Sequence, residues 1–346
     1  MLFHLGALWR LNELGLLGKL DRVSSVSGGS ITAGVLGQNW EQLTFGADGV
    51  AANFEQLVAQ PIRSIAGKRV DVPAILLGLL LPGSIASWVA RAYRRHLFAD
   101  ATLQSLPDHP RFVINATNLQ SGVLFRFSKP YLWDWKVGQV KQPDTQFATA
   151  VAASSAFPPF LSPLILRLPK GAFTPGTGDG LDFPPYTTRI VLTDGGVYDN
   201  LGLETVWKSE RTILVSDGGG QLGPKLRPPA FWPTQLLRVV NTIDSQVRSL
   251  RKRQLIDGFG MGLRKGTYWG IRSDIGNYGV PDALPCPPEK TAQLASVPTR
   301  LTKTPPLVQE QLINWGYAIC DVAIRKWVEP GAQAPTAFPY PKAGVG

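Results

Sequence analysis

The stretch Arg22-Val23-Ser24-Ser25-Val26-Ser27-Gly28-Gly29-Ser30 decides how this chain is read. Arg22 to Val26 has the composition of a short buried strand, Ser27-Gly28-Gly29 turns the chain, and Ser30 to Leu36 begins a helix. A tight turn from strand into helix holds a serine oxygen out of the backbone, provided the residues two before and two after it are small. Ser27 meets that condition, with Ser25 before it and Gly29 after it. The first glycine of the G-x-S-x-G pattern is here replaced by Ser25. Ser30 fails the test because Thr32 takes its trailing position, and Ser25 fails because Val23 takes its leading one. An ordinary glycine-rich turn is the other reading of the same residues.

Working outward, Phe112–Asn118 and Val123–Phe127 read as strands joined by a polar turn. Arg189–Thr193 and Thr212–Ser216 are two more β-rich runs, each ending at Asp-Gly-Gly, and Leu201–Lys208 between them reads as helix. Alternating strands and helices predict an α/β layered domain with a mainly parallel sheet. Two later helices carry clear apolar stripes. One is Leu236, Val240, Ile243, Val247 and Leu250, with Arg238, Arg248, Arg251, Lys252 and Arg253 largely off it; the other is Val308, Leu312, Trp315, Ile319 and Val322.

The 346 residues are 44% apolar and include 10 Trp and 15 Phe, so the chain can bury a substantial core and wholesale disorder is excluded. Its 29 Pro and 36 Gly have no collagen-like period and point to many turns. Two cysteines, Cys286 and Cys320, make neither a disulfide scaffold nor a CxxC zinc site, and a reducing compartment is compatible with them. The formal net charge is +10. Residues 225–266 hold nine Lys/Arg against Asp244 and Asp257, a surface suited to anionic headgroups or to a solvated helix face. Nucleic acid is not expected, because charge alone argues for it.

Val72 to Ala90 is a run of 19 residues without a charge, near the length of a membrane span, but Pro73, Gly78, Pro82 and Gly83 interrupt it. It is expected to be an apolar lid or a membrane-facing insertion. A single domain over residues 1–346 is expected, with 281–346 as a Pro-rich C-terminal extension carrying one helix. No signal peptide opens the chain, which predicts a cytoplasmic or peripheral-membrane location. Helical periodicity begins at Met1 without a capping residue, as if a segment preceded it.

A nucleophilic serine needs a base. His4, His96 and His109 are the only histidines, and none follows a mid-chain acid as the order Ser…Asp/Glu…His would require. A carboxylate placed by a tight turn is the natural substitute. Asp194-Gly195-Gly196 and Asp217-Gly218-Gly219 both offer one at a strand end, where sites assemble in α/β sheets. Either carboxylate, taken alone, also reads as the cap of its own turn.

At this point the chain resembles the patatin-like phospholipases. The resemblance rests on Phe3-His4-Leu5-Gly6-Ala7-Leu8 followed by Glu13-Leu14-Gly15-Leu16-Leu17, and on Val26-Ser27-Gly28-Gly29-Ser30. It continues in Ala152-Ala153-Ser154-Ser155-Ala156-Phe157-Pro158-Pro159 and Thr193-Asp194-Gly195-Gly196-Val197-Tyr198-Asp199-Asn200-Leu201-Gly202. Their order covers most of residues 1–220. The resemblance implies a three-layer α/β/α fold with a mainly parallel central sheet. It implies a lipid acyl hydrolase with a Ser–Asp dyad, Ser27 as nucleophile and Asp194 in preference to Asp217 as base. Ser25 and Gly29 frame the elbow, and Gly195 and Gly196 form the turn. The substrate implied is a lipid or phospholipid ester, with peripheral membrane contact and no metal or cofactor.

One departure bears on activity. The family places a strand and a glycine-rich, oxyanion-binding loop before the helix that here begins at Met1. Neither is present in this sequence, so its oxyanion donors are unassigned. Loss of one such donor costs ~2.7–4 kcal/mol of transition-state stabilisation, and the missing strand is expected to leave unpaired backbone in the sheet. Two readings follow: a sequence that starts late, at an internal methionine, or a short relative that has lost the chemistry and docks on lipid as a scaffold.

Overall fold

The computed structural model describes residues 1–69, 84–220, 222–298 and 302–346. Its first half runs α1 (Leu2–Glu13), β1 (Arg22–Val26), α2 (Gly28–Gln38), α3 (Gln60–Ala66), α4 (Ile85–Tyr93), β2 (Arg111–Asn118), β3 (Val123–Ser128), β4 (Tyr131–Asp134), β5 (Gly138–Lys141) and α5 (Phe147–Ser154). The second runs β6 (Leu164–Arg167), β7 (Arg189–Asp194), the short α6 (Gly196–Asp199), β8 (Thr212–Asp217), α7 (Trp232–Gly260), β9 (Lys265–Gly270), α8 (Pro288–Ala295) and α9 (Pro306–Trp327).

The main sheet has seven strands, ordered β5-β4-β3-β2-β7-β6, with β1 also paired to β2. The fold is α/β as expected, but the sheet is not mainly parallel. Only β1 lies parallel to its neighbour in it, and every other pairing is antiparallel. The reason is local: β2 through β5 follow one another through connections of two to four residues, too short for the crossover that parallel neighbours require. A separate two-stranded sheet pairs β8 and β9 in parallel.

The edges of β2 fix the functional geometry. β3 covers Ile114–Asn118 on one edge. β1 covers Arg111–Asn115 and β7 covers Ala116–Asn118, so both must share the other edge, end to end. β1 runs parallel to β2 and β7 antiparallel, so their C-terminal tips meet where Val26 pairs with Asn115 and Asp194 with Ala116. Beyond these pairings β1 has no further strand partner among the described residues.

Against the small β8–β9 sheet, α1 crosses the 22-residue α9 at very close range. A Cβ on Gly6 would stand 1.9 Å from the Ile313 carbonyl oxygen, and one on Gly316 would stand 1.9 Å from that of Phe3. Only glycine at both positions permits this backbone contact. Arg10 on α1 then reaches Asp321 on α9 at 2.8 Å, and Arg325 holds the same carboxylate at 2.8 Å. Burying one carboxylate between two guanidinium groups compensates its desolvation.

Three sequence expectations change here. Leu201–Lys208 is a succession of turns instead of a helix. The Asp199 carboxylate accepts the N–H groups of Leu201 and Glu204, competing with a helical ladder. The segment from 281 onward carries two helices, α8 and α9, where one was expected, and α9 belongs to the core through Ile313, Trp315 and Ile319. Of the apolar run 72–90, residues 72–83 lie outside the described residues, and Ile85–Tyr93 is α4, capped by the Ser84 hydroxyl on the Ser87 N–H. No helix among the described residues is long and apolar enough to cross a membrane.

Candidate active site

Ser27 lies at the step from β1 into α2, with φ 52° and ψ −126°. A positive φ on a serine is an uncommon backbone state, typically costing about 1–3 kcal/mol, and it persists only where the surroundings impose it. Here they do. The Ser27 N–H donates to Ser154 Oγ at 3.0 Å, and Ser154 Oγ in turn donates to the Asn115 carbonyl at 2.6 Å. Ser30 Oγ bridges Ser154 at 2.8 Å and Ser25 at 3.0 Å. The elbow is thus bolted to the middle of β2 through the C-terminal end of α5. Ser25 is buried on β1, and Gly29 sits in the first turn of α2 facing the His4 ring.

Asp194 arrives at the tip of β7. Its backbone N–H donates to the Ala156 carbonyl at 3.0 Å, and its own carbonyl accepts from Thr117 Oγ1 at 2.8 Å. Gly195 is required by contact: a Cβ there would lie 2.3 Å from the Asn115 carbonyl oxygen. The Gly196 N–H donates to Asp194 Oδ1 at 2.7 Å. Oδ2 is buried and has no hydrogen-bond partner among the described residues. Burial pushes this carboxyl up to about 7, opposed by the Gly196 N–H and by the hydroxyl of Ser27, while Asp244 raises it further. Ser27 follows Val26 at the tip of β1 and Asp194 ends β7, and these tips meet on adjacent residues of β2; no side-chain hydrogen bond joins the two among the described residues, and Oδ2 stays open.

Asp217 is differently placed. Its Oδ1 accepts the Gly219 N–H and its Oδ2 the Tyr268 hydroxyl, each at 2.8 Å, with Arg248 4.0 Å away. That carboxylate is committed to its own turn and its neighbours. The histidines are also accounted for. His4 is half-buried with Nδ1 2.8 Å from Ser216 Oγ and is pushed down to about 3, chiefly by desolvation. His96 meets Lys68, and His109 stands near Asp21 on the surface.

Ser27 and Asp194 line one groove of ≈ 2850 Å³, well above the roughly 300–1,000 Å³ of a compact ligand pocket. Val23 and Val26 of β1 form one wall, and Leu214 and Ser216 of β8 form another. The mouth carries Phe157, Phe160 and Val197, all exposed. Ser154 is the residue at the elbow that pattern reading does not single out. It belongs to the quoted Ala-Ala-Ser-Ser-Ala run, but its partners are 127 and 39 residues away in sequence.

The fold is α/β, and its strained serine stands at a strand-to-helix turn. Residues 1–207 match the profile of the patatin-like phospholipases, and the chain belongs to that family. A search of curated proteins returned no match. Members of the family hydrolyse acyl esters of lipids, which sets the class of activity to be accounted for.

Proposed function

We propose that the protein hydrolyses carboxylic esters of lipids through a Ser27 acyl-enzyme, with Asp194 as the base. The observation that carries this reading is a serine held at φ 52° at the tip of β1, beside the β7 tip that carries a buried carboxylate with an open Oδ2, both lining one groove. As Ser27 Oγ attacks the ester carbonyl, its proton passes to Asp194 Oδ2 and the carbonyl electrons move onto oxygen. Collapse of this tetrahedral species expels the alcohol, which takes the proton from Asp194. Water then repeats the sequence on the acyl-enzyme and releases the fatty acid.

A carboxyl group near 7 suits this task, since a base poised near the working pH combines the ionised form with real proton affinity. In this reading the N–H of Gly28 serves as a donor to the developing oxyanion. It belongs to the residue following the nucleophile, at the positive end of the 11-residue α2. The test uses a soluble short-chain p-nitrophenyl ester. Ser27→Ala and Asp194→Asn abolish turnover, while Asp217→Asn keeps it within a few-fold. Full turnover in either of the first two variants overturns the assignment.

A further inference from the structure

Helix α7 packs the wrong way round for an ordinary amphipathic helix. Of its 29 residues only Leu255 and Gly258 are buried. Its inward side is polar: Asp244 accepts from Asn200, Arg248 reaches the Gly220 carbonyl, and Arg251 stands 3.7 Å from Asp199 and 3.6 Å from Glu204. The apolar stripe Leu236, Val240, Ile243, Val247 and Leu250 is left uncovered at 38–58 % exposure, the first four of these along the groove that holds Ser27. Leu226, Phe231 and Trp232 precede it and Met261 and Leu263 follow it, all exposed. Most of the large exposed apolar side chains among the described residues lie in this one stretch. A patch of that extent marks an interaction surface.

We propose that this face docks on an anionic lipid bilayer, with α7 lying along the surface. Two features choose lipid over other occupants. Residues 225–266 hold nine cationic side chains against two aspartates, and Arg253 on α7 and Lys225, Arg227 and Lys265 in its flanking segments remain exposed. Such a surplus repels a second copy of the same face, whereas anionic headgroups neutralise it. The stripe itself adds nothing to phosphate-backbone binding but embeds in the acyl boundary of a bilayer. The second feature is continuity with the groove. Leu236, Val240, Ile243 and Val247 line the same groove as Ser27, and so do Phe157 and Phe160 at its mouth. Docking by this face sets the mouth of the Ser27 groove against the source of a lipid ester, and in this it rests on the function proposed above.

The test is co-sedimentation of the full chain, carrying Ser27→Ala, with phosphatidylcholine vesicles containing about 30 % phosphatidylglycerol. Binding is expected there and falls about tenfold on neutral vesicles or at high salt. Leu250→Glu and Arg253→Glu, both on exposed positions outside the groove lining, each weaken it about tenfold. Both variants, made in the Ser27 chain, keep their circular dichroism and their turnover of the soluble ester. Equal sedimentation of parent and both variants overturns the proposal. So does preferential binding of duplex DNA, or a dimer that dissociates on Leu250→Glu. Because binding is read in a chain that cannot turn over, its failure is separate from failure of the dyad: vesicle binding without ester hydrolysis would sink only the latter.

Discussion

Replacing Asp194 by Asn should make the protein more stable above neutral pH while it abolishes turnover. The Asp194 carboxyl lies near 3.8 in the unfolded chain and at about 7 in the folded one, raised mainly by burial. Its folded state therefore binds a proton more tightly than its unfolded state. The resulting stability is fully present below about pH 4 and is lost as pH rises through about 7. At roughly 1.4 kcal/mol per unit, a rise of about three units makes this loss roughly 4 kcal/mol. Asparagine is neutral throughout and never incurs it, while its carbonyl can still accept the Gly196 N–H. Urea unfolding of both proteins at several pH values from about 4 to 9 measures the difference. His4 and every other titrating group are common to both chains and cancel. The two midpoints should lie close together at the acid end and separate by about 1 M urea at the alkaline end, for a slope of about 3 kcal/mol per M. Parallel midpoint curves, or a variant weaker at every pH, would refute the reasoning, since they would mean that the ionised carboxylate is fully stabilised where it sits.

Three further outcomes follow from the same contacts. In the parent protein kcat/KM should rise with pH through an inflection near 7 and level off above it, because only the ionised carboxylate accepts a proton; a flat profile from pH 5 to 9 would exclude Asp194 as the base. Ser154→Ala removes the acceptor of the Ser27 N–H and the donor to the Asn115 carbonyl, costing about 1–3 kcal/mol of stability. As a positioning change it should lower kcat far more than it raises KM, and Ser154→Thr should recover part of the loss. Asp321→Ala removes the carboxylate that Arg10 and Arg325 share, leaving Arg10 with Glu13 and Arg325 with Asp282, and should cost about 3 kcal/mol in chemical denaturation, the low end for a broken buried pair.

Much of the site is legible because its rules are local. Small residues at 25 and 29 around a strand–helix step single out Ser27, and the absence of any histidine beyond His109 turns attention to a carboxylate at a strand tip. Asp194 and Asp217 look alike at that level. They separate only when Tyr268 and Arg248 engage Asp217 from β9 and α7, 51 and 31 residues along the chain. Ser154 is hidden for the same reason, as its partners are brought to it by the pairing of β1 with β2. Alternation of strand and helix implies crossover topology, but the short turn at Leu119–Gly122 requires a hairpin between β2 and β3, and the sheet follows the turn. In α7 the periodicity is right and the orientation is not. A helical stripe shows which side chains share a face, but Asn200, Asp199 and Gly220 decided that the polar face turns inward.

The most direct measurement is to locate the adduct of a fluorophosphonate probe by peptide mass spectrometry, with labelling rates compared between the parent and Asp194→Asn. The account predicts a single phosphonylated peptide bearing the modification on Ser27, formed at least about 100-fold more slowly when Asp194 is replaced. An adduct on any other serine, or an equal rate in the two proteins, would contradict it.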